Sequence, residues 1–373
     1  MKKLLMSVLF FLNLISVPIP AAAFDWSELA GVALQAGIQY GIIYANLKYL
    51  DGPGRQTMLD SMKRNYGVCG DKKANEQLAG IMAKLSDAVQ KEDSQLAEKP
   101  YRFFVNNDKS FNAFCTLGHN ISVNIGLFES LDYHEDEIAF VLAHEIAHGQ
   151  NGDPINNNLK RSSITMLAGY LADNSGNMLD MLAMSVLDSA AGAKLVTLPA
   201  EKRADRLAFR YSTSAGFNPG GGAALWQRMM DQMDKNSNRF LSAIFGDHPA
   251  NQSRRDLYAQ DLSEYGNGKI VVDSISGSIY INGKYTFTPK QNLGRSGLER
   301  AYLTAGIIAE ILHNSDGNIP AAEYKEANVF IGGIAIYSIS GQEDGNKIAA
   351  AINDAAGEVV RPADSAAVKE YFQ

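Results

Sequence analysis

Two histidines four residues apart with a glutamate between them, His144-Glu145-Ile146-Ala147-His148, are the residues of this chain best suited to do chemistry. If the window is helical, both imidazoles share one face and can point at one metal ion. Glu145 then projects beside that ion, where a carboxylate can take a proton from a water molecule. Two histidines leave the tetrahedral shell of Zn²⁺ open, the condition for catalysis rather than for a closed structural site.

The flanking residues must put the motif on a helix. Asp132-Tyr133-His134-Glu135-Asp136-Glu137 is an acidic stretch that suits the positive end of a helix dipole. Ile138, Ala139, Val141, Leu142, Ala143 and Ile146 recur at three- and four-residue spacings, and Gly152-Asp153-Pro154 ends the run. The pattern predicts a buried helix of about 18 residues with its histidines turned inward.

A third ligand has to come from elsewhere. The longer pattern H-E-x-x-H-x-x-G-x-x-H is excluded, because Asn151 and Pro154 stand in its glycine and last histidine places. No Glu and no His occurs between His148 and Glu201. Glu201-Lys202-Arg203-Ala204-Asp205 follows Pro199, a common first-turn residue, and leads into Leu207, Ala208 and Tyr211 before Gly216. On such a helix Glu201 and Asp205 share a face. One carboxylate can bind the metal, and the other can accept the remaining N–H of a metal-bound histidine.

In order along the chain stand Asn112-Ala113-Phe114, Gly126-Leu127, His144 to His148, Glu201 with Ala204-Asp205, Ala215-Gly216-Phe217-Asn218-Pro219, and His248-Pro249 with Arg254. Together they resemble family 48 of the metallopeptidases, the family of HtpX and the CAAX prenyl endopeptidases, which also has soluble periplasmic members. The resemblance implies one Zn²⁺ per chain held by His144, His148 and Glu201, with Asp205 behind a zinc histidine. It implies Glu145 as general base, His248 as an oxyanion donor, Arg254 beside substrate or Asp205, and polypeptides as substrates. One departure is Asn151-Gly152-Asp153-Pro154, where members often continue the helix with basic residues or His. The implied fold is α+β: a mainly helical zincin-type domain with a small edge-stranded sheet, followed by a C-terminal α+β domain.

The N-terminus predicts export. Met1-Lys2-Lys3, the apolar run Leu4 to Val17 and Ala21-Ala22-Ala23 read as a signal peptide over 1–23, with a periplasmic or extracellular destination. The net charge of -7 gives no electrostatic case for nucleic acid as a partner. Peripheral association with envelope or membrane proteins remains compatible with it. Composition, 46% hydrophobic, allows a large core in more than one domain: a helical segment over 24–70, the metalloprotease domain over 71–265 and the C-terminal domain over 266–373. Cys69 and Cys115 are compatible with one disulfide, which would stabilise the fold by about 4 kcal/mol in the chain-entropy model, or with two free thiols.

Helices are predicted over 26–50 and 73–90, and a strand over 101–105. His119-Asn120-Ile121-Ser122-Val123-Asn124 alternates polar and apolar as an edge strand would. Such a strand could pair with extended substrate, making Asn112, Asn120 and Ser122 candidate substrate contacts. His119, His134 and His313 read as surface or packing residues. Met166, Met178, Met181 and Met184 fall in the 160–198 linker, where they form core or line a peptide groove. The last hundred residues predict a hairpin around Asn282-Gly283, a helix over 297–313, a strand over 329–339 and a helix over 344–356. A role of another class stays open: a chaperone or assembly factor for envelope proteins, with proteolysis secondary.

Overall fold

The computed structural model describes residues 41–154, 156, 198–235 and 251–357. The signal-peptide segment, the first part of the 26–50 helix, the methionine-rich stretch up to residue 197 and His248 lie outside them. The fold is α+β and mainly helical.

A helix over 41–51 (α1) leads into α2 (Arg55–Tyr66) and α3 (Lys72–Glu92). Asp71 caps α3 by accepting the Ala74 N–H at 2.7 Å. Three short strands follow: β1 (Arg102–Asn106), β2 (Ala113–Thr116) and β3 (Asn120–Asn124). Then come α4 (Ile125–Ser130), α5 (Glu135–Gln150), α6 (Leu198–Ser214), α7 (Gly221–Lys235) and α8 (Asn251–Tyr265). The motif helix α5 is 16 residues long, with Glu135, Asp136 and Glu137 in its first turn.

The sheet order corrects the edge-strand expectation. The order is β1-β3-β2, with β3 parallel to β1 and antiparallel to β2, so the 119–124 segment is the central strand and β1 and β2 are the edges. Its alternation is real, but its polar face is buried too. Asn120 and Ser122 have no solvent exposure and so cannot receive substrate. Asn120 donates to the carbonyls of Arg55 (3.0 Å) and Leu117 (2.8 Å), while Asn106 donates to Ser122 (2.9 Å) and Asn124 (2.7 Å). Phe104 and Phe114 flank Ser122 in register and pack with Ile43, Leu47 and Met58 of the first two helices. The polar face therefore ties loops beneath α1 and α2, and Ile121 and Val123 on the other face join the main core. Asn112 immediately precedes the edge strand, and its carbonyl accepts the Asn124 N–H at 3.0 Å.

Cys69 and Cys115 are free thiols, so the possible disulfide is not formed. Arg102 turns its N–H toward the 119–124 segment, so by alternation the Val105 carbonyl faces away from β3, and there it accepts the Cys69 N–H at 2.8 Å. Cys115 sits on β2 at the opposite edge. With strands about 4.8 Å apart, the two sulfurs are separated by the width of the sheet, beyond disulfide reach.

The C-terminal part contains two three-stranded antiparallel sheets, β4 (Ile270–Val272), β5 (Ile279–Ile281), β6 (Lys284–Phe287) and β7 (Ala322–Lys325), β8 (Asn328–Ile331), β9 (Ile334–Ser338). Helices α9 (Gly297–Asn314) and α10 (Gly345–Ala356) accompany them. The single strand expected over 329–339 is instead a hairpin, because Gly332 and Gly333 both take positive φ and reverse the chain. Helix α9 packs on α7 and α8, and its buried residues share one core with α5. Ionisable side chains bridge the same helices: Arg228 of α7 lies 3.1 Å from Glu299 of α9, and Arg295, just before α9, lies 3.4 Å from Glu137 of α5. Among the described residues, no helix is long and apolar enough to cross a membrane.

Candidate metal centre

Helices α5 and α6 make the most extensive helix pair of the described fold. Fully buried alanines stand on both, Ala139, Ala143 and Ala147 on one and Ala204 and Ala208 on the other. Small side chains let helix axes approach to about 8 Å, which brings Glu201 of α6 over the two histidines of α5. His144 Nε2 and His148 Nε2 stand 3.0 Å apart, and the two Glu201 oxygens lie 3.4 Å from one histidine each. All three side chains are buried, and their ligand atoms form a cluster that can hold a metal ion.

Each histidine is turned by a carboxylate on its far nitrogen. His144 Nδ1 faces Asp205 at 3.0 Å and His148 Nδ1 faces Asp153 at 2.8 Å, leaving both Nε2 atoms toward Glu201. Asp205 is the sequence-derived candidate. Asp153 was missed, although it stands in the very segment that departs from the family pattern.

Asp205 is a hub. It accepts hydrogen bonds from Arg254 Nε (2.7 Å), from Arg254 Nη2 and from the Tyr258 hydroxyl (2.9 Å). Burial works to raise the Asp205 pKa, but Arg254 and His144 together hold it well below the usual carboxylate range. Burial likewise works against the Arg254 charge, and Asp205 more than restores it. Arg254 also lies over the Trp226 ring at 4.2 Å and 3.6 Å from Glu201. Only 7% exposed, it donates to Asp205, one of the two partners the resemblance implied for it. Tyr258, one helical turn after Arg254, carried no signal in the sequence beyond that spacing.

Glu145 projects from the same helix toward the sheet. Its Oε2 accepts the Cys115 N–H of β2 at 2.9 Å, so the carboxylate lies between the histidines and the edge strand. Close passage of α5 over β2 depends on Gly149, whose absent Cβ would stand 2.7 Å from the Tyr101 hydroxyl and 3.1 Å from Cys115 Sγ. Tyr101 in turn donates to the Ile146 carbonyl at 2.9 Å, between the two histidines. His119 stacks on Tyr101 at 4.5 Å and takes no part in the cluster.

A family model, peptidase family M48, matches residues 72–257, which hold every member of this cluster. This stretch of the chain belongs to peptidase family M48. The M48 region extends from α3 into α8 and so ends just after Arg254. Curated relatives agree at modest identity. The beta-barrel assembly-enhancing protease of Yersinia pestis is 24% identical over 239 residues, 61% of this chain and 46% of that protein. The protein of the same name from Escherichia coli (strain K12) is 26% identical over 163 residues, 42% of this chain and 33% of that protein. The chain thus spans less than half the length of these curated relatives.

Proposed function

We propose that this chain is an exported zinc endopeptidase that hydrolyses envelope polypeptides, with His144, His148 and Glu201 as zinc ligands and Glu145 as general base. The observation that carries the reading is the spacing of the donor atoms. A tetrahedral Zn²⁺ with bonds of about 2.0–2.2 Å sets its ligand atoms about 3.3–3.6 Å apart; here the two Nε2 atoms stand 3.0 Å apart, and each lies 3.4 Å from a different oxygen of the Glu201 carboxylate. The donor set, two imidazoles and one carboxylate, is that of hydrolytic zinc centres and leaves a position for water. When bound, zinc supplies Lewis acidity, making water a nucleophile at neutral pH and polarising the scissile carbonyl.

The remaining work falls to the chain. Glu145 is held by the Cys115 N–H through one oxygen, which leaves the other to take the water proton and pass it to the leaving amine. Asp205 and Asp153 keep the ring orientations fixed while charge moves. Because Asn112 turns its carbonyl toward β3, Ala113 and Cys115 turn their backbone groups outward, along the side of β2 that meets Glu145. An extended substrate pairing with this edge would lie beside the base, so β2 replaces the 119–124 segment as the substrate strand. His248 keeps its proposed role as oxyanion donor by resemblance alone.

A second reading draws on the relatives' names, which describe beta-barrel assembly enhancement: an assembly factor whose proteolysis is secondary. One experiment separates the two. Zinc content, cleavage of unfolded casein and recovery of assembled outer-membrane protein are measured for wild type, Glu145→Gln and Glu201→Ala. Glu145→Gln should keep its zinc and lose cleavage, and Glu201→Ala should lose both. Full zinc in Glu201→Ala would overturn the ligand assignment. Assembly activity that survives Glu145→Gln would favour the second reading.

A further inference from the structure

We infer that Asp153, delivered by a left-handed turn at Gly152, is a positioning residue for the second metal histidine, His148. The inference rests on the zinc reading above. Counted along a continuous helix, a residue five positions after His148 would lie off its face, since same-face partners fall three or four residues apart. Helix α5 does not continue. It ends at Gln150, Asn151 caps it with its N–H on the Ala147 carbonyl at 2.9 Å, and Gly152 takes φ +67°. A left-handed residue at this point reverses the path, a conformation glycine adopts without a Cβ clash. The chain then re-enters a helical turn, in which the Asn156 N–H donates to the Gly152 carbonyl at 3.1 Å. That detour brings the Asp153 carboxylate back beneath the His148 ring.

The contact is direct. Asp153 Oδ2 lies 2.8 Å from His148 Nδ1, and both residues are under 9% exposed. A carboxylate at Nδ1 fixes the tautomer with its proton there, so that Nε2 presents a lone pair. Nε2 is the atom that faces His144 and Glu201. The two histidines are therefore held in different ways: His144 from across the helix pair by Asp205, and His148 by its own chain five residues on. The Gly152-Asp153 pair makes the hold on His148 Nδ1 local to the motif helix and its exit, whereas the hold on His144 Nδ1 comes from α6.

The test compares zinc dissociation constants, measured by competition with a chromophoric chelator, for wild type, Asp153→Ala, Asp153→Asn and Gly152→Ala. Thermal midpoints of the zinc-free proteins and the visible spectrum of the Co²⁺-loaded forms are read alongside. Removing a carboxylate behind a metal histidine weakens binding about 10–100-fold. Asp153→Ala should show that loss with a shifted Co²⁺ spectrum and an unchanged zinc-free midpoint. Asp153→Asn, which keeps an acceptor oxygen, should recover part of it, and Gly152→Ala should resemble Asp153→Ala. Wild-type affinity and spectrum in Asp153→Ala would overturn the inference, as would a loss of affinity matched wholly by a lower zinc-free midpoint. If Asp153→Ala does not fold, Asp153→Asn decides by the same readings. Wild-type protein that binds no zinc would overturn the zinc reading itself, an outcome distinct from either.

Discussion

Substituting Asp205 should do more damage than substituting both Asp205 and Arg254. Asp205 is 1% exposed and is the main counter-charge of Arg254, which donates to it through Nε and Nη2. In Asp205→Asn the shape is kept, but among the described residues the carboxylate left within reach of the buried guanidinium is that of Glu201 at 3.6 Å, beside the His144 ring at 3.1 Å. Removing one partner of a buried ion pair costs about 3–5 kcal/mol, because the other charge stays desolvated. Arg254→Met removes that charge and leaves an apolar side chain against Trp226, where the guanidinium now stacks at 4.2 Å. Replacing both members of such a pair with apolar or neutral groups is often nearly neutral. The double variant should therefore be more stable than Asp205→Asn alone, with a coupling of about 2 kcal/mol, inside the range for residues in one network. Urea unfolding at pH 7.5 in chelator keeps zinc linkage out of the comparison. Additivity of the two single effects to within about 0.5 kcal/mol, the scatter of independent sites, would refute the buried-pair account. The same Asp205→Asn protein should bind zinc about 10–100-fold more weakly, through loss of the His144 contact.

Three further outcomes follow from the described contacts. Tyr258→Phe removes a hydrogen bond to the Asp205 carboxylate and should cost about 1.5–3 kcal/mol in urea unfolding, with zinc stoichiometry intact. Gly149→Ala should destabilise by about 1–3 kcal/mol, the scale of overpacking, since a methyl group meets Tyr101 and Cys115; a wild-type melting midpoint would show that α5 can shift freely over β2. Burial first, and then Glu299, raise the Glu137 pKa to about 8 against the Arg295 and Arg228 charges, so stability from the protonated form is complete below 4.5 and lost as pH rises through 8. Glu137→Gln should accordingly gain on wild type between pH 5 and 8 in paired urea titrations, and parallel curves across that window would show that Glu137 does not bind a proton.

The motif helix and the candidate ligand residues were legible because each rests on local chemistry. H-E-x-x-H fixes two imidazoles one turn apart on any helix, and the apolar spacing around it leaves little else for residues 135–150 to form. Glu201 and Asp205 share a face by the same rule, and Asn282-Gly283 specifies a hairpin turn wherever it lies. Tertiary structure alone decided which strand is the edge. The alternation of 119–124 is identical whether its polar face meets water or a layer of loops, and only the packing of α1 and α2 over Asn120 and Ser122 chose the second. Packing also put Cys69 and Cys115 at opposite edges of the sheet and set Arg254 against Asp205. Asp153 lies between these cases: its residues were in plain view, but its use depends on one left-handed glycine that a helical pattern cannot register. Periodicity reports what a segment does along its own axis. Which partner waits on each face is set by elements far away in sequence, and that is where the strand edge beside Glu145 and the hub at Asp205 were determined.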